Sequence, residues 1–187
     1  MGGRAGGGAS GGMGSRSGIG VTERGMSKAM ASGVVAAEKA ISGNNYETLH
    51  AFDANGNVIY TAKGKADSVR YDGRKTVDAV VTHNHPNGSA FSGADLKNAV
   101  ALNQKEIRAT GKEYTFSMKR PAKGWGTTPR AVIRYNNQLA KQLNADFRKY
   151  STNDAKFNRK LWIKLSMEKS RKMAQHFGWE FSAKINK

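Results

Sequence analysis

Cysteine is absent from this chain of 187 residues. Its absence excludes a disulfide framework, a Cys-ligated zinc finger, an iron–sulfur site and a cysteine nucleophile. Long apolar runs are absent as well. No stretch approaches the roughly 18 consecutive apolar residues of a membrane span. Acidic side chains are scarce, 14 Asp plus Glu against 31 Lys plus Arg, which leaves a net charge of +17. That excess points to attraction toward polyanions, whether nucleic acid, an anionic surface or an acidic protein. It says nothing about fold, and the plain alternative is a solvated Lys-rich surface. The charge is unevenly placed: residues 130–187 hold 14 basic and 4 acidic side chains. Hydrophobic content is 38%, but three Trp, six Tyr and seven Phe are enough to build one core. The length suits a single domain with extensions.

Residues 1–20 contain ten glycines and nothing to bury against their ordering entropy, so they read as a flexible tail. No apolar stretch follows the arginines there, so a signal peptide is not expected. Residues 22–42 predict a helix, with Met26, Met30, Val34, Ala37 and Ile41 on one stripe and Gly43-Asn44-Asn45 as its stop. Two strands, 47–53 and 57–62, flank Ala54-Asn55-Gly56 as a hairpin. Residues 76–82 (TVDAVVT) read as the best strand, ending at His83. A polar turn over 83–92 leads to a helix at about 93–104. A second hairpin spans 107–118 around Gly111. Residues 119–129 are a loop, and two basic helices, about 130–150 and 154–177, precede Gly178. This order predicts an α+β domain over 21–129, its sheet carrying helices on its faces, and a basic helical extension over 130–187.

The chemistry is concentrated in VVTHNHPNGSAFSGADL, residues 80–96. On a strand, residues two apart point the same way, so His83 and His85 can offer two imidazoles to one ion. Asp95 falls in the first turn of the next helix and can supply a third ligand. Two histidines and a carboxylate, with a fourth position left to water, suit a catalytic rather than a structural zinc site. Such a site needs a base and an oxyanion donor. Glu47 is the candidate base, with Glu38 as its rival. Ser92, three residues before Asp95, is the candidate donor, although Ser-x-x-Asp is also a helix capping box.

These residues resemble the JAMM (MPN-type) zinc metalloproteases and isopeptidases: a Glu, then His-x-His-Pro, then Ser-x-x-Asp opening a helix. The HNHP form is similar to the RadC-type branch, and SAFSGADL followed by EIRA is similar to short JAMM-like domains of phage head-morphogenesis proteins. The resemblance covers about Tyr46 to Met118. It implies Zn²⁺ on His83, His85 and Asp95, Glu47 as general base and Ser92 as oxyanion stabiliser. It further implies a mixed sheet packed between helices with a deaminase-like core, a peptide or protein substrate, and a cytoplasmic or virion-associated setting. The chain departs from the family pattern in two ways. Six residues separate His85 from Ser92, one fewer than usual, and the 47–83 segment lacks the customary helix.

The remaining polar residues admit plainer readings. His50 is expected to turn away from the site, and His176 to pack at a helix end beside Phe177 and Trp179. In the last helix, Lys156, Arg159, Lys160, Lys164, Lys169, Arg171 and Lys172 run nearly all round the wheel, with Phe157, Leu161, Leu165 and Phe177 as the expected packed face. These basic helices are either a solvated surface or a nucleic-acid contact, for which Trp125 and Trp162 could stack on bases, although buried aromatics are commoner. His83-Asn84-His85 also spells HNH, but the nuclease motif of that name is spread over a strand–strand–helix unit, so a metal-dependent nuclease is the least favoured reading.

Overall fold

The computed structural model describes residues 21–187, so the glycine-rich segment 1–20 lies outside the described residues. The chain runs α1 (Lys28–Ile41), β1 (Thr48–Phe52), β2 (Val58–Lys63), β3 (Val80–Asn84), α2 (Gly93–Ala101), β4 (Glu106–Thr110), β5 (Tyr114–Lys119), α3 (Pro129–Tyr150), α4 (Ala155–Phe177) and β6 (Glu180–Ile185). Short 3-10 turns occupy Val21–Glu23 and Gly73–Thr76. The six strands form one mixed sheet in the order β2-β1-β3-β4-β5-β6. Only β3 and β4 pair in parallel, and α2 makes the crossover between them.

Every residue of β3 and of β4 is buried, as central strands covered on both faces require. On one face, Leu49, Val81, Ala109, Phe116 and Met118 meet α2, α3 and α4 in a large apolar cluster with Leu96, Trp125, Val132 and Met173. On the other face, α1 places Met30 and Val34 on Phe52 and Val80. Ser27 opens α1 by accepting a hydrogen bond from the Met30 N–H at 3.1 Å.

Beside that smaller apolar cluster lies a layer of buried charge. The Arg108 side chain is fully buried and donates to Glu38 at 2.6 and 3.1 Å, to Glu23 at 2.8 Å and to Glu106 at 2.7 Å. It also donates to the Thr22 carbonyl, and Lys184 of β6 closes on Glu23 at 2.9 Å. Burial alone would depress the guanidinium, but Glu38 and Glu106 reverse this and hold it firmly charged. Burial pushes Glu106 above the usual carboxylate range despite Arg108 beside it.

The structure corrects several boundaries. The strand expected over 76–82 begins at Val80, because Asp72 caps a 3-10 turn by accepting from the Arg74 N–H and Asp78 turns the chain at φ 55°. The helix expected to 104 ends at Ala101, and the first helix starts at Lys28 rather than 22. Residues 180–185 form an unexpected strand, β6, paired antiparallel to β5. The packed face of α4 is Ile163, Ser166, Ser170, Met173 and Ala174, whereas Phe157 is exposed. Small Ser and Ala residues let α4 approach closely, and the Ser166 hydroxyl accepts from the Ala90 N–H at 3.0 Å. Lys169, expected in the basic shell, is buried. Trp125, for which burial is the commoner of two readings, is buried and packs edge-on to Trp179.

Removing one partner from a buried charge cluster leaves the others uncompensated. Arg108→Ala is therefore expected to lower unfolding free energy by about 3–5 kcal/mol, measured by urea denaturation. A loss below about 1 kcal/mol would contradict this account of the layer.

Candidate metal centre

Three elements build the centre. His83 sits on β3 between Leu49 of β1 and Ala109 of β4, so its imidazole stands on the face toward α2. His85 follows directly. Its N–H donates to the Thr110 carbonyl at 2.8 Å, extending the β3–β4 ladder by one bond before the chain turns. The turn is tight: the Gly88 N–H returns to the His85 carbonyl at 2.8 Å, and Gly88 has φ 75°. A side chain there would meet Ile163 and Arg159, and Gly111 packs against the same backbone, so glycine is required.

Asp95 is delivered by the capping box of α2. The Asp95 N–H donates to the Ser92 hydroxyl at 3.1 Å, and the Ser92 N–H donates to Asp95 Oδ2 at 2.7 Å. The box consumes Oδ2 and leaves Oδ1 facing His83 Nε2 at 3.3 Å. His85 Nε2 lies 3.5 Å from Oδ2 and 2.8 Å from His83 Nε2. One ligand atom from each residue lies within 4.8 Å of the others, so His83, His85 and Asp95 form a group that could hold a metal ion.

The donor set fits zinc. Tetrahedral coordination at Zn–N of about 2.0–2.1 Å spaces two ligand atoms by about 3.3 Å, so the imidazoles need part by only about 0.5 Å. His85 Nδ1 donates to the Ser89 carbonyl at 2.9 Å, which leaves Nε2 as its lone-pair nitrogen and turns it into the centre. Burial, reinforced by His83, depresses His85 and keeps it neutral. Burial would depress His83 also, but the Asp95 carboxylate and the hydrogen bond to it, together with Glu47, hold it above its ordinary value. Burial would raise Asp95, but His83, His85 and the Ser92 N–H hold it well below the usual carboxylate range. His83 Nδ1 is buried without a hydrogen-bond partner among the described residues.

Glu47 lies one residue before β1, two residues from Leu49 and on the same face as His83. Its backbone pairs with Gly64 and Lys65, and the 64–69 turn folds beside it. Burial, helped by Asp95 and Asp67 and opposed by His83, pushes its carboxyl up to about 7. Glu38, the rival base, is on the opposite face of the sheet, bound to Arg108 and to the Thr82 hydroxyl. His50 is also outside the cleft and contacts the Thr61 hydroxyl at 2.9 Å. His176 stacks on Tyr135 at 3.8 Å between ring centres.

Two features were not read from the sequence. Asn84, between the histidines, turns to the other face and clamps the backbone on both sides of Glu47. Its Oδ1 accepts from the Thr48 N–H at 2.7 Å, and its Nδ2 donates to the Tyr46 carbonyl at 2.8 Å. The cleft, about 230 Å³, is walled by Val69 and Tyr71, with Asp67 on the loop between them and Glu47. Among the described residues no Lys or Arg lines it. Comparison with protein-family models, with curated proteins and with solved structures finds no match to this chain.

Ser92→Ala removes a helix cap and is expected to cost about 1 kcal/mol of stability in thermal denaturation. Glu47 gives a pH signature. Its folded value of about 7 stands above the ordinary 4.5, so the folded state holds this proton more tightly. Its contribution is complete below about 4.5 and is lost as pH rises through about 7. In chelator, the stability advantage of Glu47→Gln over wild type is therefore expected to widen across that interval. Parallel profiles would contradict the burial assigned to Glu47.

Proposed function

We propose that this chain is a zinc-dependent hydrolase of peptide or isopeptide bonds, of JAMM type. The observation that carries this reading is the convergence of His83, His85 and Asp95 in the cleft that also holds a carboxyl tuned near neutrality. Zinc, when bound, supplies Lewis acidity and makes water acidic near neutral pH.

The protein side chains supply the rest. The Asn84 clamp holds the Glu47 backbone in place. Glu47, desolvated in the cleft, accepts a proton from the attacking water and returns it to the leaving nitrogen. The Ser92 hydroxyl accepts the capping hydrogen bond through its oxygen, so its own hydrogen remains free to donate to the developing oxyanion. Capping and catalysis are therefore compatible at Ser92. Leu49 and Ile107 give the cleft an apolar floor.

Metal analysis of protein purified without chelators is expected to find about one zinc per chain, lost in His83→Ala. Glu47→Gln is expected to retain zinc while hydrolysis of a quenched peptide and lysine-isopeptide series falls by about 10²–10⁴-fold. Metal-free wild-type protein with no zinc affinity on titration would reject the reading.

A further inference from the structure

We propose that the groove between α4 and the β5–β6 end of the sheet binds single-stranded nucleic acid, at a site distinct from the metal cleft. The groove has a volume of about 730 Å³ and shares no lining residue with that cleft. Lys160 and Lys164 of α4 form one bank, and Lys112, in the turn between β4 and β5, faces them. Among the described residues none of these three lysines pairs with a carboxylate. The one acid in the groove is already matched: Arg159 donates to both oxygens of Glu113, each at 2.9 Å. The groove therefore presents uncompensated positive charge.

Its floor is apolar, made by Tyr114, Ile163 and Met167. Tyr114 is held flat by stacking on Phe116, with centroids 5.8 Å apart and planes 19° apart. Ile185 is 68% exposed at the mouth and extends the apolar surface outward. Lys160 and Lys164 stand four residues apart, an axial spacing of about 6 Å along the helix. A polymer with a regularly repeated negative charge and a flat apolar group for each charge satisfies banks and floor together, and single-stranded nucleic acid has that chemistry. A duplex would bring phosphates to the lysines but keep its base faces stacked away from the floor. A peptide of acidic residues alone, such as polyglutamate, would match the lysines and supply no flat group. The groove also backs onto the metal loop, because Arg159 donates to the Pro86 carbonyl at 3.3 Å.

The test is fluorescence anisotropy with a short labelled oligothymidylate, in chelator, across a sodium chloride series. Three phosphate contacts predict a slope of log affinity against log salt of about −2. The Lys160→Glu, Lys164→Glu double variant is expected to weaken binding at least about tenfold and flatten that slope. Lys112→Glu, on the opposite bank, should act in the same direction, and Tyr114→Ala should weaken binding by about fivefold or more. The matched control is Lys28→Glu, Lys141→Glu, which makes the same change in net charge at exposed positions of α1 and α3 outside the groove and should alter affinity less than about twofold. Three results overturn the proposal: a control that weakens binding as much as the groove variants, polyglutamate competing as well as the oligonucleotide, or duplex binding as tightly with no effect of Tyr114→Ala.

Discussion

One buried guanidinium organises the molecule. Arg108 draws together carboxylates from the first 3-10 turn, from α1 and from its own strand, Glu23, Glu38 and Glu106. Desolvating such a group is costly, and its charge is tolerable only when every partner is in place. The reward is a unique arrangement. Arg108 pairs with Thr82 across β3–β4, and the next pair is His83 with Ala109. Because strand faces alternate, a slip of one residue would carry His83 to the charged face and Arg108 into the apolar one. The charged layer on one face therefore sets which side chain occupies the other.

On that other face, local chemistry is reused. The capping box that starts α2 also presents the Asp95 carboxylate, and the turn that ends β3 also sets the His85 tautomer through the Ser89 carbonyl. Asn84 holds the backbone around Glu47. The cleft gathers Glu47, Asp67 and Asp95, with no Lys or Arg among the described residues that line it, in a chain carrying +17. Positive charge is densest along α4, which carries seven of the basic side chains. The protein is thus electrically segregated, with an acidic interior cleft suited to a cation and a basic exterior groove suited to an anion.

What could be read in advance follows from range. His83, His85, Ser92 and Asp95 are local in sequence, and two-residue strand alternation with a three-residue capping offset is enough to bring them together. The hairpins and the α+β class were legible for the same reason. Long-range features were not. Arg108 reaches Glu38 across 70 positions, and Lys169 reaches the Asn136 amide at 2.7 Å across 33, so neither burial has a local signature. Strand β6 was hidden because EFSAKI is half-buried and mixed in polarity, and it becomes a strand through pairing with β5. The start of β3 was displaced by a capped turn and by a positive φ at Asp78, neither of which β-branched composition reveals.

The central claim is that two imidazoles and one carboxylate share a single cation on the face opposite Arg108. X-ray absorption at the zinc edge of the loaded protein tests it most directly. The account predicts a first shell of nitrogen and oxygen only, with outer-shell scattering from two imidazoles that falls to one in His85→Ala. A spectrum without imidazole scattering, or one unchanged by that substitution, would contradict it.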